Sequence, residues 1–477
     1  MSKKFNVQLT EQGDQIYFII DEAKQIKLLL DENIEFLKKF IKVEQVGQKI
    51  ILKILNKPIC YISKFGIEVI NKLSSTEIRT LYELLRDKND ENNLINAGIL
   101  NNSLWENKSK IKTELHTHLI TMLSDKELVD FSKKYNIELP FLNGVLNFEK
   151  GINKSIFELS EKELYSLMSS ISIDLKGKTS FDELEKVIAN RNFIISRCIK
   201  KYSQITKYDQ IESQQRVILD LLKTGLKSLQ KQGIRYTEIS YSNINTLLFL
   251  SKSDYSDIKG IDFKFLKSID RTDPAKEFRM AVRLADNLEL YFEDKVIGID
   301  IMGNEEPLSE ADFDANFSQS FYNKLYPLVI SLNKVNNSVL RLHAGEFRDA
   351  TANVYASLKI IDIIVSKTNI IVPPPIIRIG HGINIDRNNR VIELLKKFDC
   401  IVELNISSNY ALSNIENFNN LPLKYYQNNG IKYVISTDGA GMYRTSNLQE
   451  KNIFKAILKD DNESYLFTET EYLRSIK

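Results

Sequence analysis

The sequence has few cysteines, almost no net charge and no long apolar run. Cys60, Cys198 and Cys400 are widely spaced and form no CxxC pair, which argues against a disulfide framework and indicates a reducing compartment. The 65 basic and 63 acidic side chains leave a net charge of +2, so no overall field would hold the chain on a nucleic-acid duplex or an anionic membrane. No stretch approaches the about 18 apolar residues of a membrane span, and the N-terminus lacks a signal-peptide pattern. We therefore expect a cytoplasmic protein with no membrane or duplex partner.

The remaining composition is that of a folded protein. Hydrophobic residues make up 43% of the chain and charged residues 27%, both near the globular average. A length of 477 residues allows one large domain with an appendage, or two to three smaller domains. A sizeable hydrophobic core is therefore available.

The first hundred residues predict a small α+β domain of their own. Short β-like runs at 15–20 and 49–55 combine with helical patterns near 31–42 and 75–86, and a polar, Asn-rich segment follows. We place the end of this domain near residue 105. It carries no chemical motif, and oligomerisation ranks ahead of gating or regulation as its expected role. An added module of this kind is compatible with a role in antiviral defence by nucleotide depletion.

Residues 106–477 predict an α/β barrel. Short apolar runs recur there, separated by amphipathic helical stretches; they are KTELHTHL, IRYTEISYS, IDFKFLKS, VIGIDIMG, SVLRLHAGE, IIRIGHG, IVELNISS and YVISTDG. Eight strand candidates alternating with helices favour a (β/α)8 TIM-type barrel with helical insertions, and an open doubly wound sheet is the alternative. Reactive residue types lie at the C-terminal ends of several runs, where barrel enzymes carry their sites. The stretch 136–185 is long enough to place extra helices over the barrel mouth or side.

The chain has only four histidines, and each lies at the end of a strand candidate: His116, His118, His343 and His381. His116 and His118 are two apart on a strand, so both imidazoles face the same side and can bind one cation. Asp438, in ISTDGAG, adds an oxygen ligand. Three histidines and an aspartate suit Zn²⁺ or a similar divalent ion, which lowers the pKa of bound water to ~7 and supplies a nucleophile. Satisfied core histidines are the alternative, and each would need a buried partner.

Glu346 is the candidate general acid. It follows His343 in RLHAGE, where small residues let a substrate approach the backbone closely. We expect its carboxyl to lie beside the metal without binding it, with a pKa raised by a half-dry pocket, so that it carries a proton at neutral pH. The alternative role is a cap for the following helix. His381 lies between two glycines in RIGHG, and we expect these to leave its imidazole exposed at a strand end.

Taken in order, these segments resemble the adenosine deaminase family of metal-dependent barrel enzymes. The resemblance covers about residues 110–460 through KTELHTHL with LSDKELVDFSKKYNIELP, and then GIRYTEISYS, VIGIDIMGNE, LRLHAGE, IIRIGHG, VELNISSN and YVISTDG. It implies that one Zn²⁺ per subunit is held by His116, His118, His343 and Asp438.

The resemblance also implies roles in catalysis. Glu346 would protonate the purine at N1, His381 would orient or deprotonate the attacking water, and the backbone N–H of Gly303 would meet purine N3. Asp438 counts as catalytic as well, because it would accept a hydrogen bond from the nucleophile. The reaction implied is hydrolytic loss of the 6-amino group of adenine as ammonia, leaving a hypoxanthine product.

Two positions depart from the family pattern. In HTHLIT, Ile120 replaces the aspartate that accepts the ribose 5′-hydroxyl in the family, and in TDGA, Gly439 replaces the aspartate that contacts purine N7. The loss of two negative charges lowers the repulsion toward a 5′-phosphate. The segment GAGMYRT offers backbone N–H groups and Arg444 to an anion, with a mobile glycine loop and a surface arginine as the alternative. We therefore expect a phosphorylated adenine or deoxyadenine nucleotide as substrate.

Three other functions stay open at this point. The chain can be a plain adenosine or deoxyadenosine deaminase, or a catalytically silent relative that binds a nucleotide. It can also be an amidohydrolase that acts on another aminated heterocycle, because Gly439 leaves the ring without its N7 partner.

Overall fold

The structure is a computed structural model of the 477-residue chain. It describes six strands within residues 8–69, followed by residues 112–173, 179–292, 295–305, 319–347, 350–368, 375–385, 387, 389–412, 421–458 and 464–475. The chain divides into two compact units, Met1–Ile111 and Lys112–Lys477. The predicted boundary near residue 105 lies outside the described residues.

The described part of the first unit consists of antiparallel strands. They are β1 (Gln8–Gln12), β2 (Gln15–Ile19), β3 (Ile41–Val46), β4 (Lys49–Ile54), β5 (Lys57–Ser63) and β6 (Gly66–Val69). β1 pairs with β2, and β3 to β6 form a four-stranded sheet in sequence order. The predicted strands at 15–20 and 49–55 are present as β2 and β4.

The two helices predicted for this unit lie largely outside the described residues. The helix predicted near 75–86 and most of the helix predicted near 31–42 lie outside the described residues. Residues 41 and 42 are the start of β3, so the helix prediction is wrong at that end. In IKVEQV, apolar and polar residues alternate with the period of two that a strand requires.

The second unit contains a barrel, a small additional sheet and fourteen helices within its described residues. Its strands are β7 (Thr113–His118), β8 (Glu138–Leu142), β9 (Val145–Leu146), β10 (Ile152–Ser155), β11 (Tyr236–Tyr241), β12 (Asp262–Asp270), β13 (Val296–Met302), β14 (Val339–Ala344), β15 (Ile376–His381), β16 (Ile401–Leu404) and β17 (Lys432–Ile435). Its helices are α1 (Asp125–Lys133), α2 (Glu161–Ser170), α3 (Phe181–Thr206), α4 (Gln210–Lys231), α5 (Ile244–Ser251), α6 (Ala275–Asp286), α7 (Leu288–Phe292), α8 (Gln319–Leu332), α9 (Asn353–Thr368), α10 (Asn389–Lys397), α11 (Ile406–Leu412), α12 (Leu423–Asn428), α13 (Asn447–Leu458) and α14 (Ser464–Ser475).

The barrel has eight parallel strands in the order β7, β11, β12, β13, β14, β15, β16 and β17. Hydrogen bonds between the first and last strands close it: His118 N–H donates to the Asp438 carbonyl (3.1 Å), and Asp438 N–H donates to the His116 carbonyl (2.9 Å). The predicted (β/α)8 barrel is therefore confirmed, and all eight predicted runs contribute a strand.

Side chains on the barrel strands point alternately toward the surrounding helices and into the barrel, and the two sides differ in polarity. On β14, Leu340, Leu342 and Ala344 join the apolar core shared with the helices. Arg341 and His343 take the other parity, and they contact Glu403 on β16 and Asp300 on β13, respectively. The barrel interior is thus polar, whereas the layer between strands and helices is apolar.

The stretch 136–185 differs from the predicted insertion of extra helices. Its described residues contain a three-stranded antiparallel sheet, in the order β10, β8, β9, together with helix α2 and the first residues of α3. Helices α1, α2 and α3 each begin with a capping box, in which a serine and a glutamate three residues later bond each other's backbone N–H. No helix in the described part of the chain is long and apolar enough to cross a membrane.

Candidate active site

All four histidines meet at the carboxyl ends of the barrel strands. The ring centroid of His116 lies 5.5 Å from that of His118, 4.7 Å from that of His343 and 5.1 Å from that of His381. His116, His343 and His381 are buried, so the expected exposure of His381 is wrong, and the His118 side chain keeps 17% of its surface exposed. Residues from β7, β14 and β15 therefore form one cluster, as the sequence predicts.

Asp438, just after β17, lies against this cluster. Its Oδ1 is 3.5 Å from Nε2 of His116 and 3.4 Å from Nε2 of His118. Its Oδ2 accepts a hydrogen bond from the Ser408 hydroxyl (2.9 Å), and the carboxylate contributes to raising the pKa of the buried Tyr443 hydroxyl, for which burial is the largest cause. The carboxylate is thus fixed on one side and directed at two imidazoles on the other.

Backbone geometry makes the cluster possible. His381 (φ 69°) and Asp438 (φ 64°) both adopt the left-handed region, which turns each side chain away from the direction that strand alternation would give it. Gly380 precedes His381 on β15. A Cβ at Gly380 would lie 2.9 Å from Cε1 of His116 and 3.2 Å from Cδ2 of His343, so only glycine leaves room for both rings.

Glu346 lies beside the histidines. Its Oε2 is 3.6 Å from Nδ1 of His343 and 3.6 Å from Nε2 of His381. The loop that carries it is fixed by Glu305, whose carboxylate accepts the backbone N–H groups of Gly345 (3.0 Å) and Glu346 (2.9 Å). Asn353 holds the same Glu305 carboxylate at 2.8 Å.

The electrostatics of the cluster favour a positive charge at its centre. Burial acts to lower the pKa of His343, but Asp300 and Glu346 outweigh it and raise that pKa to about 10. Burial lowers the pKa of His118 and of His381 to about 4. His343 therefore carries a proton at neutral pH in the absence of a metal, whereas His118 and His381 are neutral there.

The expected increase in the pKa of Glu346 is wrong when only the protein side chains around it are considered. Burial does act to raise this pKa, but interactions with His381 and His343 outweigh burial, and the net pKa lies below its usual value. The sequence indicates a dry pocket, but the two imidazoles 3.6 Å from the carboxylate come together with it only in the folded barrel.

The residues present fit a divalent cation. Possible ligand atoms of His116, His118 and His343 lie within 4.8 Å of one another, as do those of His116, His381 and Asp438. Among the described residues, the buried Nε2 of His116 has no hydrogen-bond partner, as expected of an atom that is free to bind a metal. Imidazole nitrogens and a carboxylate suit zinc and similar ions.

Buried residues that sequence reasoning missed support the histidines. Glu403 Oε2 lies 2.7 Å from Nδ1 of His116, and Asp300 Oδ1 lies 3.2 Å from Nε2 of His343. Asn409 Oδ1 lies 3.3 Å from Nδ1 of His381. Contacts of this kind fix the orientation of a ligating imidazole. A signal was present in the sequence: Asp300 and Glu403 are single acids inside apolar runs, VIGIDIM and IVEL.

Two arginines hold these acids in the barrel interior. Arg341 lies 2.9 Å from Glu403 and 3.4 Å from Asp300, and Arg378 contacts both Glu403 and Glu238. All five side chains are fully buried. Each of these buried guanidinium groups therefore has carboxylate partners.

The three residues predicted to contact substrate have different surroundings. Gly303 follows β13 with φ 97°, and a Cβ there would lie 2.3 Å from the Asp270 carboxylate. Gly439 packs against Thr121, whose Oγ1 would lie 2.6 Å from an added Cβ. Arg444 is 46% exposed and pairs with Asp125 at 3.0 Å.

Comparison with known proteins places this geometry in a family. A family profile described as adenosine deaminase matches residues 182–466, more than half of the chain. The chain is 24% identical to N6-methyl-AMP deaminase-L of Xenopus laevis, over 62% of this chain and 78% of that one. It is 23% identical to an adenosine deaminase of Clostridium acetobutylicum, over 71% of this chain and 84% of that one.

Solved structures share the fold. Arabidopsis N6-mAMP deaminase MAPDA matches with a TM-score of 0.51 and 17% identity, over 78% of this chain and 94% of that one. ADAL in complex with IMP matches with a TM-score of 0.51 and 17% identity, over 78% and 93%. The profile match, the barrel and the buried histidine cluster agree: the chain belongs to the adenosine deaminase family of metal-dependent amidohydrolases.

Proposed function

We propose that this enzyme hydrolytically removes the 6-amino group of a phosphorylated adenine or deoxyadenine nucleotide, giving the hypoxanthine product and ammonia. One observation carries the proposal: three imidazoles and the Asp438 carboxylate converge directly beside Glu346 and His381. These are the groups that addition of water at C6 and loss of ammonia require.

We assign the cation to one Zn²⁺ per subunit, held by His116, His118, His343 and Asp438. When bound, such an ion lowers the pKa of a water ligand toward ~7 and supplies the nucleophile. Asp300 and Glu403 orient His343 and His116 behind it.

Proton transfer falls to two residues. Glu346 lies 3.6 Å from both His343 and His381, where it can reach ring nitrogen N1 of an adenine held over the cluster. His381 has Nδ1 close to Asn409 (3.3 Å), and its Nε2 faces Glu346, so it can orient the attacking water and take its proton. The backbone N–H of Gly303 is assigned to purine N3.

The preference for a nucleotide rests on charge. Ile120 and Gly439 leave the substrate side without two carboxylates, which reduces the repulsion felt by a phosphate. Two relatives support this preference, because one acts on N6-methyl-AMP and a structural relative binds IMP. The bacterial relative that acts on adenosine supports the alternative of a nucleoside substrate.

The test is a substrate panel on purified, zinc-loaded protein. Loss of adenine absorbance and release of ammonia are followed with AMP, dAMP, ATP, N6-methyl-AMP, adenosine and deoxyadenosine. We expect turnover of at least one nucleotide, with a higher kcat/KM than its nucleoside. Turnover of nucleosides alone would establish the alternative. No turnover of any member, with metal bound at one equivalent, would indicate a silent relative or another aminated heterocycle, which pterins and cytosines would then test.

A further inference from the structure

Arg191 on α3 is buried in an unusual environment. Its side chain is 0% exposed, and its guanidinium donates only to backbone carbonyls: Nε to Ile171 (2.6 Å), and Nη1 to Leu123 (2.9 Å) and Ile120 (3.2 Å). Within the described part of the chain, its Nη2 has no hydrogen-bond partner. A buried N–H group without a partner is rare, because it loses its hydration and gains nothing in return.

Arg191 also differs from two other buried arginines in the acids that surround it. Arg341 and Arg378 are equally buried, and each lies within ion-pair distance of carboxylates. No described carboxylate forms such a pair with Arg191, and Asp125 is the acid that acts on its pKa from a distance. Burying an unpaired cation is costly, so an anion that arrives from outside the chain would relieve this cost.

The position of Arg191 relates it to the candidate active site. Its two Nη1 acceptors, Ile120 and Leu123, follow His118 by two and five residues, just after β7. Asp125, on the first turn of α1, is paired with Arg444 at 3.0 Å. Asp125 therefore interacts with both Arg191 and Arg444, close in sequence to the two histidines of β7.

We propose that Arg191, through Nη2 and together with Arg444, binds the phosphate of the nucleotide substrate. This inference rests on the proposed function and names the group that recognises its phosphate. A phosphate oxygen accepts a charge-assisted hydrogen bond from Nη2, and Arg444 turns from Asp125 to the same anion. The competing role for Arg191 is a purely structural clamp that ties α3 to the segment after β7.

The decisive comparison is between a nucleotide and its own nucleoside in Arg191→Met. We expect kcat/KM for AMP, or for whichever nucleotide the wild type prefers, to fall about 10- to 100-fold, as for loss of a charged hydrogen bond. The value for the matching nucleoside should change by less than about threefold on the same reasoning. Arg197→Met is the matched control: Arg197 lies on the same helix, stacks on Phe193 at 4.8 Å and should leave both values unchanged.

An equal fall for nucleotide and nucleoside would overturn the proposal in favour of the clamp, and so would an unchanged nucleotide value. If Arg191→Met does not fold, as judged by its unfolding midpoint and metal content, Arg191→Lys replaces it. Lysine keeps the charge but loses the planar donor fork, so a smaller loss of the same selective kind is expected.

Binding without turnover provides a second readout. Calorimetry of IMP, inosine and inorganic phosphate with the wild type and both Arg191 variants should show weaker IMP and phosphate binding and unchanged inosine binding. Equal weakening of IMP and inosine would refute the anion site. The experiments distinguish the two hypotheses. If the wild type deaminates no adenine compound, the proposed function is wrong. If the wild type turns over a nucleotide but the Arg191 variants show no selective loss, only the inference about Arg191 is wrong.

Discussion

Gly380 sets how closely the imidazoles of His116 and His343 can approach. A methyl group there would lie 2.9 Å from Cε1 of His116 and 3.2 Å from Cδ2 of His343. We predict that Gly380→Ala lowers zinc affinity about 10- to 100-fold, which is the usual effect of changing a residue that positions a metal ligand. Competition with a chelator measures the zinc affinity of the wild type and of the variant. Gly225→Ala is the control, because its Cβ would meet the flexible end of Met122 at 2.8 Å; equal zinc affinity in all three proteins would contradict the prediction.

A substitution at Glu346 can separate an effect on proton transfer from an effect on metal binding. Glu346→Gln keeps the shape of the side chain and removes its ability to transfer a proton. We expect zinc content to stay at one equivalent while kcat falls by about 10²- to 10⁴-fold, the usual contribution of a positioned acid or base. Metal analysis and the absorbance assay on the same preparation check both parts. A variant that turns over at the wild-type rate would show that another group moves the proton.

The clustering of the site residues was predictable where a residue type is rare and its position in the sequence is suggestive. The four histidines stood out because they are few and all lie at strand ends, and Asp438 and Glu346 followed from the same logic. The contact of Thr121 with Gly439 was not predictable, because it joins residues more than 300 positions apart. The predicted rise in the pKa of Glu346 was wrong for a similar reason, because His381, which lowers this pKa, comes close to the carboxylate only in the folded barrel.

At the scale of elements, the start of α2 is a pH-sensitive junction. Glu163 accepts hydrogen bonds from Lys154 (2.6 Å) and from the backbone N–H of Ser160 (3.0 Å), and these contacts lower its pKa to about 2. Because the folded pKa lies below the unfolded value of about 4.5, this carboxylate stabilises the fold above pH 4.5. The stabilisation is lost as the pH falls from there toward 2.

Urea unfolding midpoints of the wild type and Glu163→Gln between pH 7 and pH 2 test this junction. We expect the wild type to be more stable at pH 7 and the difference to shrink below about pH 4.5. Glu183→Gln is the matched variant, because Glu183 caps α3 in the same way and no described lysine pairs with it. A difference for Glu163→Gln that stays constant down to pH 2 would rule out the assigned cause.

Elements were predictable wherever the period of the sequence was clear. All eight barrel runs form strands, because each is an apolar run between amphipathic helical stretches, even where the strand has only four residues, as in β16 and β17. The insertion before α3 was misjudged, since β9 and β10 contain no fully buried residue and so leave no long apolar run in the sequence. The half-buried residues of such strands carry little periodicity.

At the scale of the whole molecule, metal binding and folding are linked. The proposed ligands come from β7, β14 and the end of β17, so an ion that binds only the folded barrel stabilises it. We predict a higher unfolding midpoint with zinc than with chelator; at a free concentration 100 times Kd the gain is about 2.7 kcal/mol. Calorimetric scans measure it. His118→Ala should lose most of this gain, and an equal zinc effect in that variant would place the ion elsewhere.

The fold and family of the second unit followed from the order of the eight runs, because each βα pair must be adjacent in a parallel barrel. The first unit gave no such order, and its role in oligomerisation remains a prediction. Short antiparallel strands such as β1 to β6 occur in many folds, so their pattern identifies a sheet without identifying a partner.

The seam of the barrel has a consequence for biosynthesis. His118 and Asp438 are joined by a backbone hydrogen bond although 320 residues separate them, since 438 − 118 = 320. A ribosome that has delivered the histidines of β7 has therefore made only part of the proposed ion-binding centre, and the Asp438 carboxylate is added 320 residues after His118. Nascent chains stalled before residue 438 should release zinc readily, so capture of the ion reports that the polypeptide has been completed through its last barrel strand.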